Sequence, residues 1–250
     1  MDWVEEFYTK QEAWSGVYTS PVSDYNREKA LKLQSMGGLS PKSVLELGSG
    51  GGQTAYATAE LGYQVTAIEL LERAASHAES LATEVTVGSM NVICGDFYVV
   101  DLRKTFDVVC YWDGFGVGED IDQIRLLRRI ERWLKADGVV LLDIYSPWYW
   151  AEAAGQKMEF DGVKRRYEYD AGGSRMIDRW WPDGKESKSV AQSLRCYSPA
   201  DLKLLLRGTG LALDVKEIVP GGMVDYEKGV YVESTSLEKC MQYTVKLVKA

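Results

Sequence analysis

The residues of this 250-residue chain whose types and spacing could do chemistry are carboxylates set around a run of glycines. Val44-Leu45-Glu46-Leu47 is an apolar, strand-like run that enters Gly48-Ser49-Gly50-Gly51-Gly52, a loop almost without side chains. Glycine lets a chain turn sharply from strand to helix, and it lets amide N–H groups approach an anionic group at the positive end of that helix. Glu69, Asp96 and Asp113 then follow at or just beyond the ends of the next three apolar runs. Two frames fit the loop. Gly50-x-Gly52-x-x-Ala55 meets a loose dinucleotide pattern, with Glu69 near the spacing of an acid that holds ribose hydroxyls. Glu46-x-Gly48-x-Gly50-x-Gly52 instead puts an acid two residues before the first glycine. There it can meet a positively charged amino group, directly or through water, and would serve a pyrophosphate poorly.

In the second frame these residues closely resemble the first motif of the class I S-adenosylmethionine-dependent methyltransferases. The resemblance continues along the chain over about residues 40 to 145. Ala67-Ile68-Glu69-Leu70 is similar to the second motif, which implies Glu69 on the ribose diol and Leu70 against the adenine. Cys94-Gly95-Asp96-Phe97 resembles the adenine site, implying that Asp96 accepts from the exocyclic amine and Phe97 packs on the ring. Phe106 to Asp113 resembles the strand whose end faces the methionine portion. Leu134-Lys135-Ala136-Asp137-Gly138 resembles the turn into strand five, with Ala136-Asp137 where Pro-Gly is usual. The cofactor implied is S-adenosyl-L-methionine, with S-adenosyl-L-homocysteine as product. The cofactor-binding set is Glu46, Gly48, Ser49, Gly50, Glu69, Leu70, Asp96, Phe97 and Trp112. Ser146-Pro147-Trp148-Tyr149 is superficially like the motif of enzymes that methylate planar amide or nucleobase nitrogens. It follows strand five and not strand four, so those substrates are set aside.

Methyl transfer from a sulfonium is an in-line displacement, so the protein must mainly align the nucleophile and keep water out. An amine need only arrive unprotonated, whereas a hydroxyl needs a base or a metal. The single histidine, His77, falls on the helix after strand two and is expected at the surface, and no HxH or CxxC spacing suggests a metal. The expected acceptor is therefore a small molecule, with nitrogen favoured over oxygen, while Asp113 or a tyrosine leaves an alcohol open. Aromatic faces attract cations and exclude water. The candidates are Tyr18, Asp113 and Phe115 as catalytic residues and Tyr8, Trp14, Trp180 and Trp181 on the acceptor. Tyr167, Tyr197 and the Trp148-Tyr149-Trp150 run are further aromatics, the last read as packing.

These residues need elements to hold them. Strand and helix signals alternate from Ser43 to Tyr145, predicting a parallel sheet. Expected strands are 43–47, 64–68, 91–94, 106–111 and 138–145, with helices over 53–61, 71–83 and 120–135 and a glycine-bearing turn at 136–138. From Gly155 to Tyr197, aromatic and β-branched runs broken by Asp161-Gly162, Gly172-Gly173 and Asp183-Gly184 predict an antiparallel insertion of three to four strands. Ser198 caps a helix that opens on Pro199, and two strands, 211–219 and 241–248, close the chain. The fold class is α/β: a Rossmann-like doubly wound sheet of seven strands, the last antiparallel, plus the insertion after strand five.

A single methyltransferase domain is expected, with residues 1–40 as a helical cap, 41–147 as the cofactor-binding core, 148–197 as an insertion over the acceptor site and 198–250 as the rest of the core. A net charge of -8 and pI near 4.9 speak against a nucleic-acid partner, since phosphate binding rests on Lys and Arg. No apolar run approaches a membrane span, and four scattered cysteines, the first two in strand-like runs, suit buried thiols in the cytoplasm. A homo-oligomer is compatible with these features. The rival readings are an NAD(P)-dependent oxidoreductase and a non-catalytic S-adenosylmethionine-binding subunit.

Overall fold

A computed structural model describes residues 2–160 and 162–250. The main sheet takes β1 (Ser43–Leu47), β2 (Gln64–Glu69), β3 (Ser89–Cys94), β4 (Phe106–Phe115) and β5 (Leu134–Tyr145), followed by β10 (Leu211–Pro220) and β13 (Gln242–Lys249). Their order is β10-β13-β5-β4-β1-β2-β3, with β13 antiparallel to both neighbours, as the sequence predicts. The reversal of strand order falls between β1 and β4, and a doubly wound sheet binds ligands at the carboxyl ends of the strands there. Four of the five residues of β1 are buried because helices cover both its faces, which is why it reads as a continuous apolar run and not as an alternating one. Edge strand β3 alternates exposed and half-buried positions, and its last residue, Cys94, is exposed, contrary to the buried thiol expected there.

The covering helices are α1 (Asp2–Ser15), α2 (Asp24–Gly37), α3 (Gln53–Glu60), α4 (Glu72–Ala82) and α5 (Asp120–Trp133). Helix α5 buries Gln123, Leu126, Leu127, Ile130 and Trp133, one stripe at three- and four-residue spacing, and begins on a Glu119/Asp122 capping box. It stops at Trp133. Leu134 already pairs with Phe106, so the expected turn at 136–138 lies within the extended strand β5. Residues 147–152 form a short helix, α6 (Pro147–Glu152), that had no helical period long enough to read. Helix α7 (Pro199–Leu205) has the expected Ser198 cap, with the Ser198 hydroxyl accepting from the Asp201 amide at 3.2 Å. The connection after β10 carries an unexpected hairpin, β11 (Met223–Asp225) with β12 (Val230–Val232). Among the described residues no helix is long and apolar enough to cross a membrane.

The insertion forms a four-stranded antiparallel sheet, β6 (Lys157–Phe160), β7 (Val163–Asp170), β8 (Arg175–Pro182) and β9 (Val190–Arg195). Asp161, half of one expected turn, lies outside the described residues. Side chains alternate across these strands. Val163, Tyr167, Met176, Trp180, Val190 and Leu194 are buried, packing against Phe7 of α1 and against Tyr149 and Trp150 of α6. The insertion is thereby held beside the carboxyl ends of β4 and β5, and its inner face looks toward the N-terminal segment.

Candidate functional site

The glycine loop follows β1 with Gly48, Gly50 and Gly52 all at positive φ (58°, 54° and 80°), a region that a side chain would strain. Gly51 is needed for a different reason: a Cβ there would lie 1.6 Å from the carbonyl oxygen of Tyr18. The N-terminal segment thus rests directly on the loop. Gln53 fastens it, its side-chain nitrogen donating to the carbonyls of Ser20 at 2.9 Å and Tyr18 at 3.2 Å. Buried Glu12 accepts from the Tyr18 amide at 2.7 Å. His77 is half-buried and not a surface group: its Nδ1 lies 2.7 Å from the Gly51 carbonyl and braces the loop from behind.

Glu69 ends β2 with one carboxylate oxygen accepting from the Gly50 amide at 2.8 Å and the other from the Leu71 amide at 2.9 Å. Burial raises its carboxyl, and these amide bonds oppose the rise. Glu46 is 2% exposed, and burial alone pushes its carboxyl up to about 8. Five buried side-chain polar atoms lack a hydrogen-bond partner among the described residues, and three of them, Glu46 Oε2, Ser49 Oγ and the Trp112 indole N–H, sit at the carboxyl ends of β1 and β4. Buried polar groups are ordinarily paired, since an unmade bond costs about 1–3 kcal/mol. This edge therefore fits a ligand carrying its own donors and acceptors, a cation for Glu46 first. At the next strand end, Asp96 is exposed and its side chain accepts from the Tyr98 amide at 2.7 Å. Half-buried Phe97 has ring centroids 5.0 Å from Tyr98 and 5.5 Å from Tyr111. Leu70 is exposed just past β2. The nine cofactor candidates thus occupy one edge of the sheet, on three neighbouring strand ends and β4.

A second group centres on Asp113. A break in the β4–β5 register between Tyr111 and Phe115 puts Asp113 at φ 50° and turns its carboxylate out of the strand's alternation. Asp113 is exposed, while the protein packed around it raises its carboxyl by burial, so it lines a chamber that is open to solvent. The Tyr145 hydroxyl donates to Asp113 Oδ1. Tyr8 and Tyr18 are half-buried beside the same space, with phenols raised first by burial and then by acids that include Asp113 and Glu69. Tyr111 and Tyr145 behave alike. All four stay neutral near pH 7. The inner face of the insertion adds Arg165, which forks onto Asp178, its Nε donating to Oδ1 at 3.1 Å and its terminal nitrogen to Oδ2. Asp178 also accepts from the Trp180 indole at 2.7 Å and from Gln192 at 3.2 Å, and Gln192 in turn accepts from the Tyr8 hydroxyl at 3.1 Å.

Not every expected residue reaches this chamber. Phe115 is fully buried, its ring 5.8 Å from Tyr197 in the core under α5, because the break at Asp113 shifts the face on which it falls. Trp181 pairs with Lys164 on the outer face of β7 and β8, opposite in parity to Trp180. Trp180 is buried among Phe7, Phe160 and Arg165, and Trp14 packs partly against the same cluster. Tyr111, Tyr145, Arg165, Asp178 and Gln192 were not anticipated as site residues. A usable signal existed for Arg165 and Asp178: both are charged residues at the inward parity of strands whose other inward positions are apolar.

A family model described as a methyltransferase domain matches residues 44–138. The cypemycin N-terminal methyltransferase of a Streptomyces species is 31% identical over 141 residues, 56% of this chain and 54% of that protein. The chain spans about half the length of this curated relative. The methyltransferase CcbJ of Streptomyces caelestis superposes with a TM-score of 0.72 at 22% identity, covering 93% of this chain and 92% of that one. An S-adenosylmethionine-dependent methyltransferase of Clostridium acetobutylicum ATCC 824 superposes at 0.71 with 14% identity, covering 98% and 99%.

Proposed function

We propose that this chain is a class I S-adenosylmethionine-dependent methyltransferase that binds S-adenosyl-L-methionine at the carboxyl ends of β1 to β4 and methylates a small-molecule acceptor at nitrogen. The observation that carries the cofactor reading is the trio of buried, unpartnered polar atoms on Glu46, Ser49 and Trp112. An α-ammonium group would relieve Glu46, and the ligand's carboxylate would meet the hydroxyl, the indole N–H and loop amides. Glu69 keeps lone pairs free for ribose hydroxyls after accepting from Gly50 and Leu71. Asp96 and Phe97 would take the adenine. When bound, the cofactor supplies an electrophilic methyl carbon whose bond to sulfur breaks, the pair returning to sulfur, as the acceptor's nitrogen pair forms the new bond.

The same fold serves a glycopeptide N-methyltransferase and the mitomycin 7-O-methyltransferase, so the fold alone leaves the acceptor atom open. Asp113 can take a proton from an amine or a hydroxyl, and the reading as nitrogen rests on the smaller demand an amine makes on a base. In this reading residues 1–40 cap a single domain, the insertion within 148–197 covers the acceptor, and Tyr8 and Tyr18 exclude water between them. Four free cysteines support action in a reducing compartment such as the cytoplasm. A thermal-shift panel tests the cofactor: S-adenosylmethionine and S-adenosylhomocysteine raise the melting temperature, and NAD(P) does not. Stabilisation by NAD(P) alone overturns the reading.

A further inference from the structure

Among the described residues, the cations on the acceptor side of the chamber are each paired with an acid. On α2, Lys29 is buried and paired with Asp143 of β5, whose other oxygen accepts from Thr244 at 2.6 Å. Burial alone would lower the Lys29 ammonium, but Asp143 holds it charged and raised. On the insertion, Arg165 is bound in a fork to Asp178. Both cations thus carry their own anions. The phenols of Tyr8, Tyr18, Tyr111 and Tyr145 are neutral, and among the described residues no cation is bonded to Asp113, while Glu69, on the cofactor side, has both oxygens on the Gly50 and Leu71 amides. Among the described residues its one side-chain hydrogen bond, from Tyr145, occupies Oδ1 and leaves Oδ2 free. An exposed carboxylate with one oxygen free is open to a charge-assisted hydrogen bond from a cationic ligand. The surroundings suit such a ligand: tyrosine faces attract a cation, more strongly where water is excluded.

We infer that the acceptor enters as a monocation, a protonated aliphatic amine, with its ammonium seated on Asp113 Oδ2 among the tyrosines, and that Asp113 takes the proton which makes the nitrogen nucleophilic. The inference rests on the methyltransferase reading and narrows its substrate class. In the proton step one N–H bond of R–NH3+ breaks, its electron pair stays on nitrogen, and the proton moves to Oδ2, giving R–NH2 and a neutral Asp113 carboxyl. Tyr145 holds the other oxygen, so the free oxygen keeps one orientation. Burial, by raising the Asp113 carboxyl, brings it closer to the amine in proton affinity. Arg165 keeps donors beyond those given to Asp178, and these can meet a neutral carbonyl or hydroxyl on the acceptor without changing the charge balance.

A pair of probes equal in shape and different in charge tests this. Choline and 3,3-dimethylbutan-1-ol, in which carbon replaces the quaternary nitrogen, are titrated by calorimetry into the protein saturated with S-adenosylhomocysteine. Choline is expected to bind at least about tenfold tighter, as cation–π attraction and a free carboxylate oxygen require. Asp113→Asn should remove that preference and keep S-adenosylhomocysteine affinity within a few-fold, which also reports that the variant is folded. Equal affinities, no saturation by choline, or a preference that survives Asp113→Asn each overturn the inference. If Asp113→Asn does not bind S-adenosylhomocysteine, the wild-type ratio of the two probes decides. If the wild type does not bind S-adenosylhomocysteine, the cofactor reading fails, while the same titration of the ligand-free protein still decides the chamber's charge preference.

Discussion

Replacing Glu46 by glutamine, and following ligand affinity across pH, reaches the centre of the cofactor reading. Burial pushes the Glu46 carboxyl up to about 8, from an ordinary value near 4.5. In the ligand-free protein the group is therefore mostly protonated at neutral pH. A cofactor ammonium needs the carboxylate, so binding must release the proton. The ionised fraction at a carboxyl of that strength rises about tenfold between roughly pH 6 and pH 7, and S-adenosylhomocysteine affinity should rise about tenfold over the same interval. Roughly one proton should be released per ligand, read by calorimetry in buffers of different ionisation enthalpy. The sign for stability is opposite. A carboxyl raised on folding favours the native state below its unfolded value, and this contribution is lost as pH climbs from about 4.5 to about 8, on the order of 5 kcal/mol in all if burial acts in full. Glu46→Gln should flatten both profiles and weaken S-adenosylhomocysteine by about 1.5–3 kcal/mol, the range for a hydrogen bond to a charged group. Affinity independent of pH with no proton released, or wild-type affinity in Glu46→Gln, would refute the reasoning.

Three further outcomes are expected. Glu69→Ala should weaken S-adenosylhomocysteine by at least about 1.5 kcal/mol, because it loses the proposed ribose contact and also frees the Gly50 and Leu71 amides, and calorimetry on the folded variant measures it. Trp180→Ala should cost roughly 3–5 kcal/mol in denaturant unfolding, since its ring is buried and its indole holds Asp178, whereas Trp181→Ala should leave S-adenosylhomocysteine affinity and acceptor KM within a few-fold of wild type. Gly51→Ala should dislodge the N-terminal segment from the loop, seen as faster proteolysis near residues 16–20 and a weaker cofactor, because a Cβ would meet the Tyr18 carbonyl at 1.6 Å.

The glycine loop and the strand end beside it, where the proposed cofactor residues lie, were legible because their parts are short and contiguous. A strand of four buried residues, a loop of glycines and an acid at the next strand end carry their geometry within about 25 residues, and the doubly wound order follows from the alternation of elements. The acceptor side was not. Asp113 stood out as a lone acid after an apolar strand, but its companions come from α1, α2, β5 and the insertion, tens of residues away in either direction. Phe115 looked like a neighbour of Asp113 two positions on, and the break in register sent it to the core. Trp180 and Trp181 were indistinguishable as residues, and only strand parity separates them. The run from Lys135 to Gly138 reads as a turn by composition, yet pairing of Leu134 with Phe106 draws it into β5.

By itself, then, the sequence determined the doubly wound sheet of seven strands and the position of the glycine loop after its first strand, because local periodicity and backbone freedom act over a few residues and need no partner. Tertiary structure alone decided which groups face one another across the chamber: the Arg165–Asp178 fork, the Lys29–Asp143 pair and the Tyr145 bond that leaves one Asp113 oxygen free. Electrostatic balance depends on distances between side chains far apart in the chain and on the water excluded between them. Neither quantity exists until the elements have packed.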